Sequence, residues 1–317
     1  MVKETDLSRR QFALLAGTVA ASAIPANAAG PPTAQEIIDR IQTSLGSEPP
    51  QVTADGFKAG EPSTPVKGIA TTAMATMDVL KRASLAGANL VITYEPTFFG
   101  RQDGPAPPPP PAAPTQGGNG NARVPPRPFA GLSADDPVYT AKKEFIGKNG
   151  MTVYRMRDAW QSRKENEMTT GLAESLGWTK YRVKPDDVLY DIPKATAEDT
   201  VAQIREKLNL RGGLRAVGDR KATVRRVLLH PGAMTPATMW QRYEETDLIV
   251  AGEVREWENT HYAADIYTVG EKRGLVTIGR VTSEDPGMRA CAEWLKSVVK
   301  EVPAHWITVG DLYWRAA

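Results

Sequence analysis

Short apolar runs alternate with amphipathic segments along most of this chain, and this alternation constrains its fold more than any other feature. A helical pattern covers about residues 73–87 and ends at Gly87, and the apolar run Ala88–Thr93 follows it. Another apolar run, Val66–Ala70, precedes the helix. The order strand, helix, strand is typical of a crossover between parallel strands. We therefore predict an α/β protein.

The same alternation continues to the C-terminus. The predicted helices cover residues 33–46, 73–87, 138–149, 196–208, 236–246, 262–274 and 286–299. The predicted strands cover residues 66–70, 88–93, 151–157, 224–229, 248–251, 275–278 and 304–309. Both halves of the chain contain a helix, a short apolar strand and polar residues where the strand ends. We predict two similar α/β lobes with a site in the cleft between them, since open α/β sheets bind ligands beyond the carboxyl ends of their strands.

The N-terminus has the pattern of a removable export signal. Arg9 and Arg10 precede an apolar run from Phe12 to Ala23, and Ala26-Asn27-Ala28 offers small residues to a signal peptidase. The paired arginines indicate the twin-arginine route. The run is shorter than the ~20 residues that span a bilayer, so a cleaved signal is favoured over a membrane anchor. The sequence predicts a signal peptide at 1–28, a mature domain at 29–317 and a periplasmic or secreted location.

Proline and glycine dominate the segment at about residues 103–128. It contains five consecutive prolines at Pro107–Pro111 and the glycine-rich run Gln116–Asn121. Such a composition cannot bury a core, which predicts a disordered or polyproline loop. No docking motif flanks the prolines, so an inert insertion is favoured over a partner-binding segment.

Charge and cysteine content exclude several classes of protein. The net charge is +2, from 39 basic and 37 acidic residues. We therefore expect no nucleic-acid partner and no membrane association after signal removal. The single cysteine, Cys291, excludes an internal disulfide. This agrees with a protein that folds in a reducing cytoplasm before export, where it can also acquire a metal or cofactor.

Carboxylates follow four of the predicted strands. These residues are Glu95, Asp158, Glu253 and Glu284. If they meet in one cleft, their mutual repulsion requires a cation or a proton among them. From the residues alone, solvated loop acids are the favoured interpretation.

The order of these segments resembles the NIF-three-like family, whose members have a dinuclear metal centre and are often labelled GTP cyclohydrolase type 2. The resemblance covers about residues 68–312. It is carried by Ala83–Thr93 leading into Tyr94-Glu95-Pro96, and by the block from Gly252-Glu253 to Gly279, Ser283-Glu284 and Gly287-Met288. It implies two lobes of shared topology, a two-metal centre between them and a toroidal homohexamer built as a trimer of dimers.

The metal ligands of the family map onto five positions of this chain, namely Tyr94, Glu95, Asp158, Arg280 and Glu284. Tyr94 and Arg280 stand where the family pattern has histidines. The whole chain contains three histidines, His230, His261 and His305. Loss of imidazole ligands disfavours Zn²⁺, and the remaining oxygen ligands Glu95, Asp158 and Glu284 suit Mg²⁺ or Mn²⁺.

Two functions follow from the resemblance, and the sequence leaves both open. In the first, a divalent metal bound by the three carboxylates supports hydrolysis of an unidentified small molecule, with Tyr94 and Arg280 as the candidate catalytic residues. In the second, Arg280 replaces the charge of the metal, and the chain is a metal-free oligomeric scaffold or binding protein. Glu253 is expected to support the site through a hydrogen bond.

Overall fold

The computed structural model of the chain describes residues 30–46, 53–100, 103, 132–185, 187–210 and 213–313. The predicted signal peptide at 1–28 lies outside the described residues, and so does the proline-rich segment apart from Asp103. Within the described part of the chain, no helix combines the length and the apolar character needed to cross a membrane. The described residues from Pro31 onward belong to one compact unit.

Ten strands and nine helices form the regular structure of the described residues. The strands are β1 (Gly56–Ala59), β2 (Ile69–Thr72), β3 (Leu90–Thr93), β4 (Thr152–Arg155), β5 (Leu189–Thr196), β6 (Arg215–Val217), β7 (Thr223–Met234), β8 (Leu248–Val254), β9 (Gly274–Thr277) and β10 (Ala304–Trp306). The helices are α1 (Ala34–Leu45), α2 (Met77–Leu85), α3 (Pro137–Lys148), α4 (Asp158–Gln161), α5 (Glu167–Leu176), α6 (Ala197–Lys207), α7 (Pro236–Arg242), α8 (His261–Thr268) and α9 (Arg280–Val298).

The strands form two five-stranded sheets, ordered β1-β4-β3-β2-β10 and β5-β7-β8-β9-β6. In the first sheet β10, β2, β3 and β4 are parallel, and β1 is antiparallel at the edge. In the second sheet β7, β8 and β9 are parallel between the antiparallel edge strands β5 and β6. The predicted α/β class is confirmed, and so is the predicted parallel pairing of β2 with β3.

The helix α1 forms as its sequence pattern predicts. Thr33 Oγ1 accepts a hydrogen bond from the Glu36 N–H at 3.3 Å, and the Glu36 carboxylate accepts one from the Thr33 N–H at 2.8 Å. This reciprocal pair satisfies two N–H groups that the first helical turn leaves without a partner. Ile37, Ile38 and Ile41 are buried in the same core as the first sheet.

The helix α9 connects the two sheets. Near its N-terminus, the Ser283 hydroxyl accepts a hydrogen bond from the backbone N–H of Gly232 in β7, at 2.9 Å. One and a half turns later, the Thr71 hydroxyl of β2 donates to the carbonyl of Met288, at 2.7 Å. Because one helix is bonded to both sheets, its side chains hold fixed positions relative to both.

The start of α9 differs from the prediction. The sequence pattern places it at Pro286, since proline is favoured in the first turn of a helix. The helix instead begins at Arg280, directly after Gly279, whose φ of 96° lies in the region that favours glycine. Pro286 is therefore inside the helix, and both Arg280 and Glu284 are helical residues.

Candidate functional site

Four segments that follow strands of the two sheets meet at one cluster of charged side chains. Glu95 follows β3, Arg157 follows β4, Glu253 lies at the end of β8, and Arg280 begins α9 after β9. Arg280 Nη2 lies 2.8 Å from Glu95 Oε1, and Arg280 Nη1 lies 3.0 Å from Glu253 Oε1. Arg280 thus joins the strand ends of the first sheet to those of the second.

Glu95 is the centre of this cluster. Its side chain is 9% exposed, and Oε1 accepts hydrogen bonds from Arg280 Nη2 at 2.8 Å and Arg280 Nε at 3.2 Å. Arg157 Nη1 makes a further short ion pair with the same oxygen. Burial works against ionisation of Glu95, but the charges of Arg157 and Arg280 outweigh it and lower the pKa of this carboxyl. One carboxylate oxygen is therefore shared by two guanidinium groups.

Glu284 lies beside Glu95, but it is protonated where Glu95 is ionised. Its side chain is 2% exposed, and the nearest cation is Arg280 Nε, 3.5 Å from Oε1. Neither carboxyl oxygen accepts a hydrogen bond from the described residues. Burial, reinforced by the negative charge of Glu95, raises the pKa of Glu284 to about 9. At neutral pH Glu284 is a neutral acid whose O–H can donate to the Glu95 carboxylate.

Gly232 makes room for the Glu284 side chain. A Cβ at this position would lie 2.9 Å from Glu284 Oε1, which is closer than such atoms approach. The backbone of Gly232 also has a φ of 80°, which a side chain would strain. A larger residue at this irregular point of β7 would therefore displace the neutral carboxyl.

Tyr94 is enclosed by Arg157 and Gln161. The Arg157 guanidinium lies 4.6 Å from the centre of the Tyr94 ring, and the Tyr94 hydroxyl donates to Gln161 Oε1 at 3.3 Å. Burial raises the pKa of Tyr94 above its usual range, so the hydroxyl stays protonated. Tyr94 thus packs under Arg157 and supports its position over Glu95.

Asp55 positions Arg157. Its carboxylate accepts hydrogen bonds from the backbone N–H groups of Arg157, Asp158 and Ala159 at 2.6–2.9 Å. These are N–H groups at the start of α4, which a helix leaves without an internal partner. Fixing them fixes the direction in which the Arg157 side chain leaves the backbone.

The structure does not bring Asp158 to the cluster, which corrects the expectation that three carboxylates converge. Its carboxylate accepts hydrogen bonds from the Thr53 hydroxyl at 2.9 Å and from the Ala54 N–H at 2.8 Å. The reason is the tight turn after β4, which directs Asp158 toward residues 53–54 and its neighbour Arg157 toward Glu95. Glu95 and Glu284 lie beside each other, and Glu253 contacts Arg280.

The metal centre implied by the family resemblance fits this cluster poorly. A divalent ion needs several ionised oxygen ligands facing one point. Here Glu95 is bound by two guanidinium groups and Glu284 is neutral. Across the described ranges, no group of three or more His, Cys, Asp or Glu side chains is arranged to hold a metal ion.

Arg157 is the member of the cluster that sequence reasoning missed. The family resemblance directs attention to Asp158, the mapped ligand, and treats its neighbours as departures from a histidine-rich pattern. The available signal was a second arginine next to a mapped ligand position, matching the arginine at position 280. Together the two arginines bring two positive charges to the mapped ligand positions.

Comparison with solved structures identifies the fold. A Bacillus cereus protein related to NIF3 superposes with a TM-score of 0.65 at 14% identity, covering 91% of this chain and 100% of that one. The chain has the NIF3-like fold. Staphylococcus aureus protein SA1388 matches this NIF3-like chain with a TM-score of 0.62 at 15% identity, covering 90% and 100% of the two chains. The protein ybgI matches at 0.60 and 17% identity, covering 88% and 99%.

The sequence comparisons give no match. No protein-family model matches this NIF3-like chain, and no curated protein matches it. The likeness to solved structures therefore concerns the fold of the chain, and its chemistry has to be argued from the side chains of its own site.

Proposed function

We propose that this NIF3-like protein is an exported, metal-independent binding or scaffold protein. In this proposal Arg157 and Arg280 supply the positive charge that a metal centre would otherwise supply. The observation that carries the proposal is the Glu95 carboxylate, which is ionised, buried and bound by both guanidinium groups. Glu253 on Arg280 and the neutral Glu284 complete an arrangement in which formal charges balance.

The strength of the ion pairs supports this proposal. The described residues place Arg280 in contact with Glu95, Glu253 and Glu284, with its side chain 31% exposed. A metal ion entering the cluster would have to displace a guanidinium from a buried carboxylate. The guanidinium would then lose its contacts with both Glu95 and Glu253. Binding of a divalent ion would have to outweigh that loss.

Export and assembly belong to the same proposal. Export is supported by the arginine pair and the Ala26-Asn27-Ala28 sequence, and the twin-arginine route accepts proteins that are already folded. A homohexamer in the periplasm or outside the cell is supported by the family resemblance of the sequence.

A metal-dependent hydrolase is the second candidate function. The observation that favours it is the convergence of Glu95 and Glu284 in the cleft between the sheets. In that case the guanidinium groups would have to withdraw before Mg²⁺ or Mn²⁺ could be held by these carboxylates.

Elemental analysis of the mature chain, residues 29–317, separates the two functions. After incubation with Mg²⁺, Mn²⁺ or Zn²⁺ and removal of free metal, we expect less than one bound equivalent of each. The variant Arg157→His/Arg280→His should bind Zn²⁺, because it removes two positive charges and adds two imidazole ligands. The matched control is Arg215→His/Arg220→His, which changes two exposed arginines. Light scattering on the same sample gives the oligomeric mass.

One result would support the hydrolase instead. If the unmodified chain retained one equivalent of Mg²⁺ or Mn²⁺, and Glu95→Gln lost it while remaining folded, the guanidinium groups would not replace the metal.

A further inference from the structure

A second polar cavity lies on another face of α9, lined by residues that the Glu95 cluster does not use. Its volume is about 560 Å³, which is within the range of small-molecule sites. Polar groups from three parts of the chain line it, together with the indole of Trp306. Its lining includes Thr282, Asp285, Arg289, Trp306, Leu208 and Leu210.

Asp285 contributes a buried carboxylate to this cavity. The residue is 7% exposed, and its Oδ2 accepts a short hydrogen bond from the Thr308 hydroxyl. Its other oxygen, Oδ1, makes no hydrogen bond of good geometry among the described residues. The Trp306 indole N–H and the backbone N–H groups of Val309 and Ala73 nevertheless face the carboxylate and lower its pKa. Burial raises the pKa of Asp285 to about 6, so the carboxylate remains largely ionised at neutral pH. Oδ1 therefore keeps a lone pair that can accept a hydrogen bond from a ligand.

Arg289 contributes a cation to the same cavity without pairing with Asp285. The two residues are four apart on α9, a spacing at which opposite charges usually meet. Among the described residues no ion pair joins them; Arg289 Nη2 instead donates to the Ser175 hydroxyl at 3.2 Å, and its guanidinium lies 5.9 Å from the Trp306 ring. The carboxylate of Asp285 and the guanidinium of Arg289 thus both line the cavity without forming an ion pair.

Pro286 leaves one carbonyl of α9 without its usual helical donor. Proline has no N–H, so it cannot donate to the carbonyl of Thr282, four residues earlier in the helix. Thr282 and Pro286 both line the cavity. Leu208 and Leu210, which follow α6, give the opposite wall an apolar part.

We propose that this cavity binds a free α-amino acid. Its ammonium group would donate to Asp285 Oδ1 and to the Thr282 carbonyl, and its carboxylate would accept from Arg289. The two charged groups of an amino acid are a few ångströms apart, which matches neighbouring side chains at a helical spacing of four. The ligand's own side chain would lie against Trp306 and the leucines. The inference is independent of the function proposed for the Glu95 cluster.

The test uses the mature chain and ligands that differ by one charge. Each proteinogenic L-amino acid is screened singly by thermal shift at millimolar concentration, and the best is measured by titration calorimetry. Its N-acetyl derivative lacks the ammonium group, and its primary amide lacks the carboxylate. We expect each derivative to bind at least about tenfold more weakly, because each removes a charged hydrogen-bonding group.

Two variants assign the groups to their partners. Asp285→Asn should weaken binding of the amino acid at least about tenfold, and it should reduce the difference in affinity between the amino acid and its N-acetyl derivative. Arg289→Gln should reduce the difference in affinity between the amino acid and its amide. Lys296→Gln, an exposed change on the same helix, is the control and should bind as the unmodified chain does. The proposal is overturned if no amino acid saturates the protein, or if the derivatives bind as tightly as the parent. If Asp285→Asn fails to fold, the comparison of derivatives on the unmodified chain decides alone.

Discussion

At the residue scale, two neighbouring carboxyl groups differ in protonation: one is ionised and the other is neutral. Glu95 faces Arg157 and Arg280, and their charges keep it ionised although it is buried. Glu284 is more deeply buried, shares Arg280 only at 3.5 Å, and faces the charge of Glu95. When two acids lie this close, one keeps its proton and the pair titrates as a unit. The Glu95–Glu284 pair therefore carries one proton at neutral pH.

We expect Glu284→Gln to stabilise the protein more at pH 8 than at pH 5. The pKa of Glu284 is about 9 in the folded chain, whereas its ordinary value is 4.5. Between these values the folded state holds a proton that the unfolded state has released, so the free energy of unfolding falls as pH rises. Glutamine cannot titrate and keeps a donor for Glu95. The extra gain at pH 8 should be at least about 1.4 kcal/mol, the equivalent of one pKa unit.

Urea unfolding at the two pH values measures this difference. Glu293→Gln is the matched control, because Glu293 is exposed on the same helix and, among the described residues, forms its ion pair with Lys296. Equal effects of Glu284→Gln at pH 5 and pH 8 would show that Glu284 is ionised in the folded protein.

The site residues differ in how far the sequence could predict them. Glu95 and Glu284 were predictable because each follows an apolar strand, and the carboxyl ends of parallel strands face one cleft. Asp158 also follows such a strand, but the turn after β4 sends it to Thr53 and Ala54. Arg157 takes its direction from Asp55, a residue that is distant in sequence. Local patterns do not encode contacts of this kind.

At the element scale, α5 and α9 cross with almost no space between their backbones. A Cβ on Gly171 would lie 2.6 Å from the carbonyl oxygen of Pro286, and one on Gly287 would lie 2.8 Å from Met168 Cα. Each glycine therefore lets the other helix approach. This contact fixes the height of α9 relative to the first and second sheets, and with it the positions of Arg280 and Glu284.

We expect Gly171→Ala to lower the free energy of unfolding by about 1–3 kcal/mol, because the added methyl group meets backbone atoms that cannot move aside. Gly147→Ala is the control, since Gly147 is also helical and has nothing within 4 Å of an added Cβ. That change should be neutral or stabilising by up to about 1 kcal/mol, through helix propensity. Denaturant unfolding of both variants gives the comparison. Equal stability of the two would contradict the close crossing.

Among the described residues, the buried strands were predictable from sequence, whereas of the four edge strands only β10 was predicted. The strands β2, β3 and β4 are entirely buried, and their apolar runs stand out. The edge strand β1 is half-buried at all four positions, and β6 is mostly exposed, so neither has a clear apolar pattern. The start of α9 was misplaced because proline is favoured at helix starts, whereas the helix begins at Arg280 and Pro286 lies inside it.

At the scale of the whole molecule, the helix α9 and the cluster of ion pairs both link the two sheets of the described residues. The C-terminal strand β10 returns to the first sheet after the chain has completed the second. The two sheets therefore cannot separate without breaking α9 from one of them. A chain built in this way is suited to export as a finished fold, since its single cysteine leaves no internal disulfide to form afterwards.

We expect Arg9→Lys/Arg10→Lys to retain the full-length precursor in the cytoplasm of a bacterial host. The change keeps the charge of both positions, so it tests recognition of the arginine pair itself. Lys3→Arg is the control and should be exported and shortened as the unmodified chain is. Fractionation with an antibody against the mature chain gives the result. Export of the double lysine variant at an unchanged level would exclude the twin-arginine route.

Glu284 and Asp285 are consecutive residues of α9. Glu284 completes the ion-pair cluster, whereas Asp285 lines the polar cavity beside Trp306. Neighbouring positions on an α-helix point about 100° apart, so their assignment depends on the rotational phase of the helix. Removing or adding a single residue between Gly279 and Ser283 would turn both acids toward the wrong surroundings. Selection should therefore preserve the length of this segment as well as Arg280 and Ser283, and related chains should keep a constant spacing from Gly279 to Arg289.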